Sequence, residues 1–424
     1  MKAASRLIEA HPSSSTSLPD LQPTSDVERH AILDVLRGFA LYGVLLANLV
    51  WLTTDMVLTG ARLQQLPTAT VDPIAQALVV FFIDGKFYTL FAFLFGLGFS
   101  LQMQRAETRG VRIVAPYIRR LSVLIVIAAI HLALIWYGDI LLMYASLGFV
   151  LLLFRRARPT LRLVVLALVL ALPARATFTA YNALTSPDMS QGVSAPEKDA
   201  ATKEAHLAAF LGGYPRVVRE NVAIYWDTLF VGGFLWIALP TIFARFLIGL
   251  YVGKRGVVDR VAAYLPLMRR ALPWLAGVAI VGNGVKLGHF WLDERGVDLS
   301  ASWWAIGTLP LIEAGILALS GTYVCIVCML FVGNPRWQKR LARLAPVGRM
   351  ALTNYLTHSV VYLLLFTGAG FGLLGKVGPA ICVALSITIF WAQVVVSGWW
   401  LRRYRFGPAE WVWRTLTYGS AQPM

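Results

Sequence analysis

The sequence predicts an all-α fold, a polytopic membrane bundle of about ten transmembrane helices with both termini in the cytoplasm. Three observations support this prediction: the composition, the lengths of the apolar runs, and the positions of arginine and lysine. Of the 424 residues, 58% are hydrophobic and only 14% are charged, and the mean hydropathy is +0.65. Soluble domains contain about a quarter charged residues, so this composition excludes an ordinary soluble protein.

Ten apolar runs approach the roughly twenty residues that a helix needs to cross a bilayer. They cover residues 31–53, 79–103, 115–136, 138–154, 161–180, 229–252, 272–292, 302–331, 350–367 and 378–399. The second run could begin with an interfacial segment that breaks at Asp84-Gly85-Lys86. The first thirty residues are rich in Ser, Pro and Thr, which predicts a disordered tail and not a cleavable signal peptide.

Every second connection between these runs is rich in basic residues. The clusters follow the even-numbered runs and span 105–120, 155–162, 254–270, 336–349 and 402–414. Cytoplasmic loops carry an excess of Lys and Arg, and long loops count little in this rule. The pattern therefore places the even connections and both termini in the cytoplasm. The net charge of +16 indicates anionic lipid, and not nucleic acid, as the partner.

The runs also predict a division of the chain into four parts. They are a cytoplasmic tail (1–30), an N-terminal transmembrane half (31–180), an extracytoplasmic loop (181–228) and a C-terminal transmembrane half (229–424). The loop contains an amphipathic piece near His206 to Phe210 and could be a lid, part of an acceptor site or a tolerated loop. Near the C-terminus, Trp, Tyr and Arg alternate, which predicts interfacial anchoring and could also bind a phosphate group.

The first apolar run contains three polar residues on one helical face. Asp34 and Arg37 are spaced i,i+3 and share that face, and Asn48 returns to it about three turns, roughly 16 Å, further along. Exposing such groups to lipid costs free energy, so we expect them to be paired or to face a polar cavity. Two interpretations stay open at this point: a salt bridge that holds a bundle together, or one side of a binding path.

His131 and Asp139 form the candidate catalytic pair. His131 lies near the outer end of the third predicted helix, and Asp139 lies in the tight turn before the fourth. A carboxylate beside a neutral histidine fixes its tautomer and stabilises the imidazolium, as a general base requires. The alternative is a structural histidine that is hydrogen-bonded between helices.

Other polar residues fall inside the apolar runs: Lys86, Arg245, Lys286, His289, Glu313, Asn354 and His358. The predicted topology places Arg245 with Arg37 toward the cytoplasm, and His289 and Glu313 toward the outside. Ionisable groups at two depths suit a pathway across the bilayer and equally suit a set of structural ion pairs. The three cysteines, including the Cys325-x-x-Cys328 pair, lack a second ligand pair, so neither a metal site nor a disulfide framework is predicted.

Several stretches strongly resemble the bacterial YeiB-like family, whose C-terminal half is known as domain of unknown function 418. They are 346–356, 404–418, 33–38, 85–96, and 138–141 together with His131. His358 departs from the family, which often has Gln there. The N-terminal half is distantly similar to transmembrane acyltransferases, including the heparan-glucosaminide acetyltransferase group, through its Asp-x-x-Arg-Gly start and its outer histidine.

This resemblance implies a protein of the bacterial inner membrane that moves an acyl group from cytoplasmic acyl-CoA to a small-molecule or glycan acceptor on the far side. His131 would be the general base or would carry the acyl group transiently, and Asp139 would orient it. The candidates for substrate or donor binding are Asp34, Arg37, Asn48, Lys86 and Arg245. Acyl-CoA would be a substrate, and no bound cofactor is implied. The alternatives are a transporter or exporter of a small molecule, and a scaffold whose buried charges are structural.

Overall fold

The structure, a computed structural model, describes residues 31–185, 195–297, 299 and 302–424, so the predicted tail lies outside the described residues. The N-terminal half contains α1 (Ala31–Val50), α2 (Gly60–Leu63), α3 (Asp72–Phe82), α4 (Lys86–Thr108), α5 (Val114–Leu134), α6 (Leu141–Leu153), α7 (Leu161–Thr185), α8 (Ala195–Phe210) and α9 (Tyr214–Trp226). The C-terminal half contains α10 (Phe234–Lys254), α11 (Val261–Glu294), α12 (Trp303–Gly333), α13 (Pro335–Leu341), α14 (Ala345–Arg349), α15 (Ala351–Phe366), α16 (Pro379–Trp400) and α17 (Pro408–Tyr418).

The predicted fold class is confirmed: the chain is a polytopic bundle of membrane helices. Within the described ranges, eight helical segments are long and apolar enough to cross a membrane. Two further apolar helices, α6 and α15, have only 13 and 16 residues. Each of the ten predicted runs coincides with one of these ten segments. The difference from the prediction is that two of them are shorter than a bilayer requires.

The break expected in the second run is present. Helix α3 ends at Phe82 and α4 begins at Lys86, with Gly85 between them at a φ of 84°. Glycine adopts this left-handed conformation without the steric penalty that a Cβ would add. Lys86 is fully buried, and its Nζ donates to the carbonyl oxygen of Val80, 2.8 Å away. The lysine therefore ties the end of α3 to the start of α4.

Helix α1 lies at the centre of the bundle. It contacts α4, α14, α15 and α16, and most of its side chains are buried. Two glycines permit its closest approach to another segment: a Cβ on Gly38 would clash with the carbonyl oxygen of Leu344, and one on Gly348 with that of Asp34. Small residues at helix contacts are typical of membrane bundles, where packing drives association.

The basic clusters predicted to share one side of the membrane meet at one end of the bundle, here called the basic end. Lys254 Nζ donates to the carbonyl oxygens of Arg155 (2.6 Å) and Ala157 (2.7 Å). Trp413 Nε1 donates to the carbonyl oxygen of Arg120 at 2.9 Å. These contacts join four of the five clusters in pairs, the second with the third and the first with the last. The end that faces away from them is called the opposite end.

The segment 181–228 is largely helical where it is described, and it packs on the opposite end of the bundle. Helices α8 and α9, here called the helical cap, bury Leu207, Phe210 and Val217 in the same core as α1. The backbone N–H of Gly368 donates to the carbonyl oxygen of Phe210 at 2.8 Å. The interpretation of this segment as a merely tolerated loop is therefore wrong, because its apolar side chains belong to the core.

Candidate functional site

His131 and Asp139 form a buried hydrogen-bonded pair. His131 Nδ1 lies 2.6 Å from Asp139 Oδ2, and the two residues are 1% and 2% exposed. Asp139 Oδ1 accepts from the backbone N–H of Leu142 at 2.8 Å. The carboxylate thus satisfies an unpaired amide at the start of α6 while it holds the imidazole. The contact that the sequence left open across this turn is made.

The turn between α5 and α6 shapes this site locally. The indole of Trp136 packs over Gly138, where any Cβ would clash with the indole ring. The ring of His131 lies 6.3 Å from that of Trp136 in an edge arrangement. The short connection therefore brings the histidine of one helix to the aspartate that precedes the next.

Tyr355, on α15, joins this turn to the C-terminal half. Its hydroxyl accepts from the backbone N–H of Ile140 at 3.3 Å and donates to the carbonyl oxygen of Gly138 at 3.5 Å. Its ring centre is 5.4 Å from that of His131. Sequence reasoning missed this residue, although it follows Asn354 within one of the stretches that resemble the YeiB-like family.

The second ring nitrogen of His131 is left as an acceptor. An ionised Asp139 accepts a proton-bearing Nδ1, so the neutral imidazole carries its lone pair on Nε2. His131 Nε2 is buried and makes no hydrogen bond to any described part of the chain. A buried imidazole with one nitrogen held by a carboxylate and the other unengaged has the arrangement of a general base.

A cavity of about 370 Å³ extends from the basic end toward this pair. Helix α4 lines it from Arg105 to Phe91, fourteen residues or about 21 Å. Six arginines and two carboxylates stand in the described lining: Arg37, Arg105, Arg109, Arg120, Arg349, Arg414, Asp34 and Glu410. The mouth of the cavity is therefore strongly positive.

The inner part of the cavity is apolar and aromatic. Its walls include Phe91, Phe95, Leu94, Leu121, Leu124 and Ile140. It closes at Tyr144 and Tyr355. Tyr144 donates to the backbone of Tyr88 at 3.0 Å, and the hydroxyl of Tyr88 bonds to the side-chain oxygen of Asn48. Ile140 and Tyr355 belong both to the cavity wall and to the surroundings of His131 and Asp139, so the cavity ends beside the pair.

Helix α17 forms one wall of the mouth, in addition to the anchoring role predicted for the C-terminal stretch. The Glu410 carboxylate accepts from the backbone N–H groups of Leu352 (2.6 Å) and Thr353 (3.1 Å) and from the Thr353 hydroxyl (2.5 Å). Burial raises the pKa of Glu410, and its bonds to Thr353 and Leu352 oppose that shift. Arg120 stacks over Trp413, with the guanidinium 4.3 Å from the ring centre. These contacts fasten α17 to α15 and α5.

The predicted donor-binding residues fall into two groups. Asp34 and Arg37 are 3.0 Å apart and line the mouth of the cavity, and Asn48 is linked to its closed end through Tyr88. Lys86 and Arg245 do not line this cavity. Of the five candidates, Asp34 and Arg37 line the cavity, whereas Asn48, Lys86 and Arg245 do not. Asn48 is connected to the wall only indirectly, through Tyr88 and Tyr144.

Arg245 lies further from the basic end of the bundle than the predicted topology suggested. Its Nε donates to Thr89 Oγ1 at 2.7 Å, and its Nη2 lies 2.5 Å from Glu313 Oε1. Thr89 is nine residues, about 14 Å, along α4 from Gly98, which lies beside Arg37. Arg245 and Glu313, which the predicted topology put toward different sides, are therefore in contact, and Arg245 does not share the cavity mouth with Arg37. The pairing with Glu313 agrees with the structural alternative for these buried charges.

The remaining polar residues also have partners within the bundle. Lys286 pairs with Asp84, and His289 Nε2 lies 2.9 Å from the Thr308 hydroxyl. His358 Nε2 lies 2.7 Å from Gln393 Oε1. Throughout the described residues there is no group of three or more His, Cys, Asp or Glu side chains that could hold a metal ion.

Comparisons with known proteins place this architecture in a family. A family model described as "Protein of unknown function (DUF418)" matches residues 252–420. The chain is 35% identical over 425 residues to "Uncharacterized protein YxaH" of Bacillus subtilis (strain 168), covering 96% of this chain and 98% of the relative. The chain belongs to the DUF418 family.

Two further relatives of this family match over nearly their whole length. "Uncharacterized protein YeiB" of Escherichia coli (strain K12) is 28% identical over 412 residues, 94% of this chain and 98% of the relative. "Uncharacterized 39.9 kDa protein in amylase 3'region" of Bacillus acidopullulyticus is 28% identical over 412 residues, 95% of this chain and 98% of the relative. No solved structure matches. The predicted membership in a YeiB-like family is thus confirmed.

Proposed function

We propose that this DUF418 protein transfers an acyl group from a cytoplasmic acyl-CoA donor to an acceptor at the opposite side of the bacterial inner membrane. The observation that favours this function is a cavity that runs from an arginine-rich mouth to Ile140 and Tyr355, which contact the His131–Asp139 pair. Arginines bind phosphate groups through charge-assisted hydrogen bonds, and an apolar channel suits an acyl chain. The bacterial relatives support the choice of membrane.

The chemistry follows from the arrangement of the pair. The donor phosphates bind at the mouth, and the thioester reaches the closed end beside Tyr355. His131 Nε2 takes the proton of an acceptor hydroxyl or amine as that group attacks the thioester carbonyl. The new bond to the acyl carbon forms, the C–S bond breaks, and the thiolate receives the proton from His131. Asp139 stabilises the imidazolium between these steps.

Acetyl-CoA turnover by the purified protein in lipid nanodiscs tests this proposal, with hydroxylamine as the acceptor probe. We expect acetohydroxamate and free CoA as products. His131→Ala should lower the rate by about 10²- to 10⁴-fold, the usual contribution of a general base. His289→Ala is the matched control, because that histidine bonds to Thr308 away from the cavity. No turnover by the unmodified protein, or equal rates with His131→Ala, would contradict acyl transfer.

Export of an anionic amphiphile is the second candidate, favoured by a charged cavity that opens at one end and closes at Tyr144 and Tyr355. Such a cavity also suits a transporter that is open to the cytoplasm. Loss of a labelled acyl-CoA from one side of a proteoliposome membrane, with the compound recovered chemically unchanged, would favour this function. Release of free CoA would favour acyl transfer.

A further inference from the structure

Four buried polar atoms near His131 have no hydrogen-bond partner within the described ranges. They are His131 Nε2, Trp136 Nε1, Ser359 Oγ and Tyr362 Oη, and each of these residues is at most 4% exposed. Buried polar side-chain atoms in folded proteins nearly always have a partner, which is either protein or ordered water. A group of such atoms at one place therefore indicates a polar occupant.

Three of these residues form a series of ring contacts, and Ser359 lies one turn from Tyr362 on the same helix. Trp136 lies 6.3 Å, between ring centres, from both His131 and Tyr362. Tyr355, Ser359 and Tyr362 are spaced i, i+4 and i+7, so they share one face of α15. Tyr355 contacts His131 at the start of that face, and Ser359 lies between the two tyrosines. We call His131, Trp136, Ser359 and Tyr362 the polar chamber.

Ser359 differs from Ser146 and Ser320, and it shares the lack of a hydrogen-bond partner in the described residues with Ser100 of α4. Ser146 and Ser320 each donate to the carbonyl oxygen four residues earlier, at 2.8 Å. Ser320 also donates to the backbone of Lys86 at 2.9 Å. The hydroxyl of Ser359 makes no such bond to its own helix or to any other described residue. It is available to a molecule in the chamber.

We propose that the polar chamber binds the hydroxyl- or amino-bearing group of the acceptor, an inference that rests on the proposed acyl transfer. The indole N–H only donates, the neutral imidazole Nε2 only accepts, and the serine and tyrosine hydroxyls do both. No described arginine or lysine belongs to this group. Both oxygens of the neighbouring Asp139 carboxylate are already bonded, to His131 and Leu142. The chamber therefore suits a neutral hydroxyl or amine, and not an ion.

The acceptor would enter the chamber on the side that the helical cap covers. Tyr137 lies 6.4 Å from Trp136 between ring centres, and Phe210 of the cap stacks on Tyr137 at 5.7 Å. The turn after α15 contacts the cap through Gly368, whose N–H bonds to Phe210. Donor and acceptor would thus approach His131 from opposite ends of the bundle.

Cysteine labelling tests the chamber independently of any transfer activity. Cys325, Cys328 and Cys382 are replaced by alanine, and Ser359→Cys is treated with methyl methanethiosulfonate, a small neutral reagent. The matched control is Ser320→Cys, because Ser320 is 4% exposed but fully bonded. We expect Ser359→Cys to react at least about ten times faster than this control. Equal rates would show a closed, dry site and overturn the inference.

Acceptor kinetics with hydroxylamine and the native cysteines form the second arm. Tyr362→Phe and Ser359→Ala should each raise the KM for hydroxylamine about fivefold, because each variant loses one hydrogen bond to the acceptor. Ser320→Ala, which lies outside the polar chamber, should change neither the KM for hydroxylamine nor the rate of acetyl-CoA hydrolysis without acceptor. An unchanged KM in both variants overturns the inference. If the unmodified protein turns over no acetyl-CoA, the acyl transfer proposal fails, and the labelling result alone then decides whether the chamber admits polar molecules.

Discussion

Two buried pairs of ionisable side chains inside the bundle differ in how completely they are bonded. Each of the three guanidinium nitrogens of Arg245 donates a hydrogen bond: Nε to Thr89, Nη1 to the Thr241 carbonyl oxygen, and Nη2 to Glu313. His131 is held on one side by Asp139, while its other nitrogen has no partner in the described part of the chain. Neither pair lines the cavity itself, but Tyr355, whose ring contacts that of His131, stands in its wall.

This difference distinguishes an ion pair that only holds helices together from a pair that can act on a ligand. Both pairs look alike in the sequence, because each has ionisable groups in apolar runs, where burying such groups costs free energy. Saturated bonding holds helices in place and leaves nothing for a ligand. Incomplete bonding next to a cavity leaves an atom that can exchange a proton. The bonding of a buried charge, more than its presence, therefore identifies the candidate site in this fold.

Amide substitutions in the two pairs give the largest expected effect and separate them most clearly. Asp139→Asn should keep the bond to Leu142 but lose the ionised partner that fixes the His131 tautomer. We expect acetohydroxamate formation to fall by about 10²- to 10⁴-fold with an unchanged melting temperature. A large loss of stability with normal activity per folded molecule would show that the His131–Asp139 pair also has only a structural role.

Glu313→Gln should act in the opposite way. It leaves the buried Arg245 charge without its counter-ion, which costs about 3–5 kcal/mol of stability, while activity per folded molecule should remain. The double variant Arg245→Met/Glu313→Leu should recover most of this stability, because it removes both charges together. Thermal unfolding in detergent measures both. If Glu313→Gln lost activity at full stability, Arg245 would belong to the site.

Filling the cavity should affect donor binding more than stability. A Cβ at Gly98 would meet only Arg37 Nη2, at 3.6 Å, so Gly98→Leu places its bulk in the space between Arg37 and the aromatic wall. We expect the KM for acetyl-CoA to rise about tenfold. Gly277→Leu, where nothing lies within 4 Å of the added Cβ, is the control. An unchanged KM would mean that the donor uses another route.

Removing single charges at the mouth should have the smallest effect. Arg105→Gln and Arg414→Gln should each raise the KM for acetyl-CoA about three- to tenfold at low salt, and the effect should shrink at high ionic strength. Arg402→Gln removes an exposed charge near the same end but outside the cavity lining. Equal effects of all three changes would indicate general attraction of an anion, and not a defined mouth.

Local features of the structure were predictable from the sequence, and long-range ones were not. The membrane class, the clustering of the basic loops and the break at Gly85 follow from composition and charge over short stretches. The His131–Asp139 contact spans eight residues, so a tight turn predicts it. The partner of Arg245 is 68 residues away, and a single sequence does not reveal which helices face each other.

The cavity and its tyrosines were missed for a related reason. Tyr144 and Tyr355 line the cavity from two different helices, and Tyr88, whose backbone oxygen accepts from Tyr144, stands on a third. Tyrosine in a membrane helix ordinarily marks the interface, so the sequence does not indicate that these three residues lie close together. Of the helical cap, the sequence indicated only the amphipathic piece near His206 to Phe210, because the other buried positions are dispersed among Lys, Glu and Arg.

The shortness of α6 and α15 has an electrical consequence. At 1.5 Å per residue they span about 20 and 24 Å, less than the roughly 30 Å hydrocarbon layer. A water-filled cavity would bring the potential of the basic end inward to Tyr144 and Tyr355, and the membrane voltage would then fall across the thin layer that contains His131. Moving one charge through 100 mV is worth about 2.3 kcal/mol. We therefore expect the rate of acetyl-CoA turnover in proteoliposomes to change when a potassium diffusion potential is imposed.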